Sequence, residues 1–452
     1  MGDRIEKDSL GEVRVPESAQ WGAQTQRAVE NFPISGRPMP ADLIRAVARI
    51  KAACAAANLA LGRLDAERAE AIRARALEIA SGRHSDQFPI DVFQTGSGTS
   101  TNMNVNEVIA HLASAPGRAV HPNDHVNMGQ SSNDVIPTAV HIAARDAIGE
   151  TLVPGVARLA AALRERAAKF DDVVALGRTH TMDAMPRRIG QLLGGHAAML
   201  EDGLVRVRAA DEGLAAVALG GTAVGTGFGA PPEFTAATLR DLSALAGRAF
   251  HEAPNHFAAQ GGIDALSAAS AAIRGVALSF AKIASDLRWL ASGPAGGPAE
   301  LRFPSLQPGS SIMPGKVNPV MSEVALQVAA QVTGNDAAIA FAAASGILDL
   351  NTFFPLVADN LIESANLVGR AAAAFADKAV AGLEVDRERC AELVERSGML
   401  VTALASKIGY DKAAEIAKEV VKTKRTVREV AKAMRVLPDD EIDRLIDPRK
   451  MT

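Results

Sequence analysis

The chain is poor in aromatic residues and in cysteine. Aromatic side chains make up 4% of its 452 residues, whereas alanine is abundant. Such a composition favours helices that pack closely on small side chains. The two cysteines, Cys54 and Cys390, lie in unrelated contexts with no CxxC or Cys/His spacing. We therefore expect neither a disulfide framework nor a zinc site, and a reducing compartment fits the cysteine usage.

A strong net charge is also missing. The formal charge of −4 and the pI near 6.2 give no general attraction to nucleic acid or to an anionic membrane. An anionic ligand must therefore be attracted by local cations and hydrogen-bond donors. Residues 1–8 are charged and lack the apolar region of a signal peptide, and the longest charge-free stretch, residues 213–232, contains six glycines. We expect a cytoplasmic protein with no membrane or nucleic-acid partner.

The length of the chain predicts about three domains. We expect a mostly helical N-terminal domain over residues 1–130, a central domain of long helices over residues 131–386, and a small helical C-terminal domain over residues 387–452. Strand-like alternation is limited to short pieces near residues 13–15 and 173–176. The fold class is therefore predicted to be mainly α.

Two segments of the central region carry clear helical periodicity. From Leu266 to Leu290 the larger apolar residues recur in alternating steps of three and four, which is typical of a helix-bundle seam. Four valines at i+4 spacing, from Val320 to Val332, form a second ridge. These patterns predict long packed helices.

Residues 309–319, Gly-Ser-Ser-Ile-Met-Pro-Gly-Lys-Val-Asn-Pro, are the most informative stretch. Asn318 and Pro319 read as a helix start, with Asn at the N-cap and Pro at the first helical position. The serine hydroxyls, Lys316 and the free N–H groups of that helix would then attract an anion. A capped helix after a flexible loop is the alternative. A nucleotide-binding P-loop is excluded, because five residues separate the glycines and Val317 replaces the required Ser or Thr.

Three further polar segments accompany this loop. They are Thr-Gly-Ser-Gly-Thr-Ser-Thr-Asn-Met-Asn at 95–104, Gly-Gln-Ser-Ser-Asn-Asp at 129–134 and Gly-Arg-Thr-His at 177–180. Each alone would be a polar turn or cap. Together with loop 309–319, in this order and spacing, they resemble the active-site segments of the fumarase/aspartase superfamily. Gly315 is similar to class II fumarases, since aspartases typically carry Ala there. The resemblance extends over nearly the whole chain.

The resemblance implies a mainly α, three-domain fold whose central helices form a bundle and assemble into a homotetrameric helical core. Each active site would take residues from three subunits. The implied activity is that of a hydro-lyase of the tricarboxylic acid cycle, which reversibly hydrates fumarate to L-malate through an aci-carboxylate intermediate. The substrate is then a small dicarboxylate. No metal and no organic cofactor is implied, because the carboxylates of the substrate serve as electron sinks.

The resemblance also implies roles for individual residues. Ser310 corresponds to the base that takes the carbon proton, His180 to the group that handles the water proton, and Glu323 to the carboxylate that orients His180. The implied substrate-binding residues are Ser97, Thr99, Ser131, Ser132, Asn133, Thr179, Ser311, Lys316 and Asn318. A secondary dicarboxylate site is implied at Arg118, His121, Asn123 and Asp124.

Three alternatives are open at the sequence level. Gln307 stands where many fumarases have Glu, which raises an aspartate ammonia-lyase as an alternative, although Ser132 favours a fumarase. An inactive helical scaffold of the same fold is disfavoured because the catalytic residue types are present. His121 and His125 stand four apart and could ligate a metal, but Pro122 argues against a regular helix that presents both rings.

Overall fold

A computed structural model describes residues 2–452 of the protein. Within these residues the chain is mainly α, as predicted, with seventeen α-helices. The helices are α1 Ala23–Asn31, α2 Ala41–Ala60, α3 Ala66–Ala80, α4 Thr99–Ala113, α5 Ser132–Ala147, α6 Val153–Lys169, α7 Ile189–Gly213, α8 Pro232–Ala246, α9 His256–Gly261, α10 Asp264–Leu290, α11 Val320–Ala343, α12 Phe354–Phe375, α13 Arg387–Arg396, α14 Thr402–Ile408, α15 Tyr410–Thr423, α16 Val427–Ala433 and α17 Asp439–Leu445.

The strands are short and form only two-stranded sheets within residues 2–452. The strands are β1 Asp3–Asp8, β2 Gly11–Pro16, β3 Val174–Thr179, β4 Met182–Arg188, β5 Ala216–Val217, β6 His251–Glu252, β7 Leu301–Arg302 and β8 Glu384–Val385. Three of these sheets are antiparallel, and the pair of β5 with β6 is parallel. The predicted minor strands near residues 13–15 and 173–176 are confirmed as β2 and β3.

The chain divides into two compact units, each built from three segments. Among the described residues, the first unit comprises residues 2–153, 205–275 and 330–369, and the second comprises residues 154–204, 276–329 and 370–452. Helices α7, α10, α11 and α12 therefore contribute residues to both units. The predicted domain boundaries at 130 and 386 stay a prediction.

Helix α2 lies at the centre of the first unit. It packs against α3, α5 and α8, and thirteen of its twenty residues are buried. Its many alanines permit this close approach, because small side chains let neighbouring helices pack tightly. One of the buried residues is a lysine, Lys51, which is fully enclosed.

Helix α10 contains the buried seam that the sequence predicts. By length and composition alone, it is the one helix within residues 2–452 that could cross a membrane. A core helix passes the same test, and the seam identifies α10 as a helix of this kind. The buried seam positions, each at most 4% exposed, are Leu266, Ala269, Ile273, Val276, Phe280, Ile283, Leu287 and Leu290.

The second unit contains a small core formed by the C-terminal helices. Leu404, Ile416 and Ile442 are fully buried in this cluster, together with apolar residues of α15 and α16. Leu176 of β3 belongs to the same cluster. The C-terminal helices therefore pack on the β3–β4 hairpin, and this packing fixes the strands that carry the Gly-Arg-Thr-His segment.

Candidate active site

Predicted substrate-binding hydroxyls meet at the start of α4. Gly98 precedes this helix in a left-handed conformation, with φ of 71°. The Ser97 Oγ lies 2.8 Å from Thr99 Oγ1, which in turn lies 2.7 Å from Ser132 Oγ. The structure thus brings two segments that are more than thirty residues apart into one hydrogen-bonded chain of hydroxyls. Such a chain offers several neutral donors to an anion.

Helix α5 begins with a complete capping box. Ser131 is the N-cap, its side chain accepts from the Asn133 N–H, and its own N–H donates to Asp134 Oδ1 at 2.9 Å. The other oxygen of Asp134 accepts from the backbone N–H groups of Gly220 and Thr222, at 3.1 and 3.0 Å. Asp134 is buried, and its burial raises the pKa of the carboxyl. The predicted donor segment is therefore held by buried hydrogen bonds.

His180 lies at the tip of the β3–β4 hairpin. Thr179 pairs with Met182, so His180 and Thr181 form a two-residue connection. Both residues have positive φ, 54° and 60°, as a type I′ turn requires. This conformation is rare for a β-branched residue such as Thr181. Backbone strain of this kind clusters at functional sites, and here it presents the His180 imidazole to solvent.

Arg178 links the β3–β4 hairpin to Glu300 and Trp289. Its guanidinium donates to Glu300 Oε2 at 2.7 Å and lies over the Trp289 ring, 5.2 Å from the centroid. Glu300 is fully buried, so this ion pair is shielded from water. Arg178 precedes His180 by two residues. Glu300 could not be predicted from the sequence, because a lone acidic residue far along the chain gives no signal of its partner.

Loop 309–319 is closed at its base by backbone hydrogen bonds. The Gly309 N–H donates to the Lys316 carbonyl at 2.8 Å, and the Asn318 side-chain amide donates to the Gly309 carbonyl at 2.9 Å. A Cβ on Gly309 would lie 2.4 Å from the Lys316 oxygen, so glycine is needed there. The loop is exposed at Ser311 and Lys316.

The Ser310 hydroxyl lies inside this loop and accepts two backbone hydrogen bonds. The N–H groups of Ile312 and Met313 donate to Ser310 Oγ at 3.2 and 3.1 Å. Hydrogen bonds to the charged form of a group favour that form. These two donors therefore assist ionisation of the hydroxyl, which the base role of Ser310 would require.

The predicted N-cap role of Asn318 is wrong by one position. Helix α11 begins at Val320, so Pro319 precedes the first helical residue. The Glu323 N–H donates to the Pro319 carbonyl, and Asn318 uses its side-chain amide across the loop. The tertiary acceptor at Gly309 competes successfully for this side chain, which a local pattern does not reveal.

The predicted pair of His180 and Glu323 does not form within this chain. Both side chains are exposed, and within residues 2–452 they share no hydrogen bond or ion pair. Lys316 likewise makes no side-chain hydrogen bond within the described residues, and Gln307 donates none to Ser310. These groups are thus available to a ligand or to another copy of the chain.

A cavity of about 690 Å³ lies beside the hairpin in the second unit. Arg178, Arg187 and Lys282 line it, with Thr181 and Pro319 also at its wall. Burial lowers the pKa of Arg187. The cavity is rich in cations, but none of the predicted catalytic side chains is among its lining residues.

The residues of the predicted secondary site lie around a short helical turn, residues 122–126. His121 Nδ1 accepts from the Asp124 N–H at 3.1 Å, and His125 Nδ1 accepts from the His121 N–H at 2.8 Å. Both imidazole rings thus accept backbone hydrogen bonds within the turn. No group of three metal-ligating side chains occurs among residues 2–452. His121 and Asn123 line a cavity of about 610 Å³, whereas Arg118 donates to the Ala113 carbonyl.

The chain matches two family models. Residues 11–334 match the family model described as a lyase, and residues 400–452 match the model described as the fumarase C C-terminus. The chain therefore belongs to this lyase family.

Several relatives of the chain are class II fumarate hydratases. The chain is 51% identical to a class II fumarate hydratase of Mycobacterium tuberculosis over 98% of its length and 95% of that protein. It is 52% identical to the class II fumarate hydratase of Halobacterium salinarum, over 99% and 97% of the two chains. The resemblance to class II fumarases is confirmed.

Solved structures agree with the fold. The crystal structure of a class II fumarase from Schistosoma mansoni matches with a TM-score of 0.96 at 37% identity, over 99% of both chains. A fumarate lyase:delta crystallin from Brucella melitensis matches with a TM-score of 0.94 at 41% identity, again over 99% of both chains. The predicted fold class is thereby confirmed.

Proposed function

We propose that the chain catalyses the reversible hydration of fumarate to L-malate, as a class II fumarate hydratase. Relatives of that name align with it over nearly their whole length at about half identity. The observation within this chain that carries the proposal is the Ser310 hydroxyl, which accepts two backbone N–H groups inside loop 309–319. A serine held in this way is suited to take a proton from carbon.

In the direction from malate, Ser310 removes the proton from the carbon beside one carboxylate. The electron pair moves into that carboxylate and gives a doubly charged aci-carboxylate. Lys316 and Asn318 bind this group, because fixed donors and a cation stabilise developing charge in a site that excludes water. The C–O bond then breaks, His180 gives a proton to the departing hydroxide, and water and fumarate result. Glu323 orients His180.

The hydroxyl cluster binds the substrate. Ser97, Thr99 and Ser132 form one hydrogen-bonded chain, and Ser131 and Asn133 flank it at the start of α5. Thr179 and Ser311 provide further donors from the hairpin and the catalytic loop. All these groups are neutral donors, so they can pair with a dicarboxylate without charge repulsion.

We further propose a homotetramer in which neighbouring subunits supply the Ser310 loop and the His180 hairpin of one site. Two observations support this arrangement. Within residues 2–452 of one chain, His180 and Glu323 form no hydrogen bond or ion pair with each other. Large apolar side chains on the long helices are also exposed. Leu278 of α10 is 49% exposed, and Phe341 of α11 is 68% exposed. Apolar helix faces of this kind favour association with another copy.

The secondary site and the location are further proposals. Arg118, His121, Asn123 and Asp124 would form a weak dicarboxylate site, which the cavity next to His121 and Asn123 supports. The cytoplasm is the proposed compartment, and it agrees with the two buried free cysteines.

The assay for the main proposal measures the ultraviolet absorbance of the conjugated diacid that forms from L-malate. Purified protein should produce it, and Ser310→Ala should lose most of kcat, by roughly a hundredfold or more. Ser305→Ala, an exposed serine in the preceding segment, is the matched control and should keep wild-type turnover. Release of ammonia from L-aspartate with no activity on malate would replace the assignment by an aspartate ammonia-lyase.

A second variant tests the proton carrier. His180→Asn keeps the positive φ of the turn, since Asn tolerates the left-handed conformation, but it cannot carry a proton. Turnover should fall and the pH dependence of kcat should change. A pH–rate profile identical to that of the wild type would remove His180 from this role.

A further inference from the structure

Helix α2 carries a lysine that is completely buried. The Lys51 ammonium donates to Asn127 Oδ1 and to Gln130 Oε1, both at 2.9 Å. It forms no ion pair with a carboxylate within residues 2–452. A buried ammonium is costly unless its protons are satisfied, and burial lowers the pKa of Lys51 to about 7. Its presence in an otherwise mostly apolar helix face needs a reason.

The first partner, Asn127, links this lysine to helix α4. Asn127 Oδ1 also accepts from the side-chain amides of Asn102 and Asn106, both at 3.2 Å. These two residues lie on the helix that begins at Thr99. A single amide oxygen therefore joins α2 to the helix that carries one half of the hydroxyl cluster.

The second partner, Gln130, links the lysine to helix α5. Gln130 directly precedes Ser131, the N-cap of α5, and its side chain also donates to the Val126 and Met128 carbonyls. Asn58, two turns after Lys51 on α2, donates to the same Met128 carbonyl at 3.0 Å. The loop before the cap is thus held to α2 at two points.

We infer that Lys51 is a positioning residue for substrate binding, whose ammonium fixes loop 127–130 and thereby aligns Thr99 with Ser132. The inference rests on the proposed function, because it assigns these hydroxyls to the substrate. Buried side-chain hydrogen bonds of this kind are strong, and such supporting contacts hold binding groups in place. A displacement near 1 Å in a binding group can cost about a hundredfold in rate.

An apolar side chain would fill the same space without the cost of burying a charge. The two acceptors of Lys51 are both side chains of the loop that precedes the α5 cap. The contacts therefore favour a role in the site over a role in general packing.

The test compares Lys51→Met with Cys54→Ala. Cys54 is also fully buried on α2, three residues later, but its thiol interacts with Thr238 and forms no hydrogen bond with loop 127–130 among residues 2–452. Lys51→Met should raise KM for L-malate by about tenfold or more at a temperature where both variants are folded. Cys54→Ala should keep the wild-type KM. A wild-type KM in Lys51→Met, or an equal rise in both variants, would overturn the inference.

A second pair of variants covers the case in which Lys51→Met does not fold. Gln130→Glu keeps an acceptor for the ammonium, whereas Gln130→Met removes it, and both lose the amide donor. KM should be several-fold lower in Gln130→Glu than in Gln130→Met. Equal KM values would contradict the role of Lys51.

Binding of succinate, a dicarboxylate that cannot react, separates this inference from the proposed function. The rise in unfolding temperature with succinate should be present in the wild type and in Cys54→Ala, and lost in Lys51→Met. Wild-type protein that binds succinate but does not turn over malate would refute the function, while the succinate comparison would still test the role of Lys51 in dicarboxylate binding. An undiminished succinate effect in Lys51→Met would refute the inference alone.

Discussion

Gly96, three residues before the helix that carries the proposed substrate-binding hydroxyls, offers a demanding test of the site geometry. A Cβ on Gly96 would lie 1.9 Å from the Thr352 carbonyl oxygen and 2.7 Å from its carbon. The Gly96 carbonyl accepts from the Phe354 N–H at 3.1 Å, so the two segments approach backbone to backbone. Asn351, the residue before Thr352, donates its backbone N–H to the Gln260 carbonyl, so this segment cannot readily move away from Gly96.

Gly96→Ala should therefore displace the segment that carries Ser97 and Thr99. Ordinary contact begins near 3.4 Å, so the two backbones must separate by about 1.5 Å. Overpacking of this kind costs about 1–3 kcal/mol of stability. A shift larger than 1 Å in the substrate donors should lower kcat/KM for L-malate by about a hundredfold.

The assay is malate turnover, with the unfolding temperature measured in parallel. Gly213→Ala is the matched control, because a Cβ there meets nothing within 4 Å and φ is not positive. The control should keep wild-type activity. Gly96→Ala protein with wild-type kcat/KM would refute the close approach and the donor role of this segment.

Two further predictions concern stability. The buried Glu107 carboxylate accepts hydrogen bonds from Gly22, Gln24 and Thr25. Glu107→Ala should therefore lower the free energy of unfolding by about 3 kcal/mol, as measured by denaturant titration. An unchanged denaturation midpoint would contradict this prediction. Burial lowers the pKa of Lys51 from the ordinary value of 10.5 to about 7 in the folded protein. Between these two pH values the unfolded chain binds more protons than the folded chain, so the free energy of unfolding rises with pH. The stability of the wild type relative to Lys51→Met should increase by on the order of 1 kcal/mol per pH unit from about pH 7.5 to 9, whereas a constant difference would refute the buried charge.

Much of the fold follows from local pattern. The seam of α10 is visible in the sequence because each step of three or four residues returns to the same helix face. Loop 309–319 is visible because glycine, proline and polar residues interrupt a helical region. In both cases neighbouring residues carry the information.

Other features depend on distant partners and could not be predicted. Asn318 leaves the N-cap because the Gly309 carbonyl lies across the loop, and the turn at His180 lacks the Asn-Gly signal of a type I′ connection. The role of Lys51 could not be predicted either, because α2 also carries Asp42, Arg45 and Arg49 and nothing local distinguishes Lys51 from them. Its meaning depends on Asn127 and Gln130, more than seventy residues away.

The central claim is that the Ser310 loop of one subunit and the His180 hairpin of another meet around one dicarboxylate. The most direct measurement mixes the impaired Ser310→Ala and His180→Asn proteins, dissociates and reassociates their subunits, and assays malate turnover. We expect turnover to rise above that of either variant alone, because some sites in mixed oligomers combine an intact loop with an intact hairpin. Mixed oligomers that form but turn over malate no faster than the separate variants would contradict this claim.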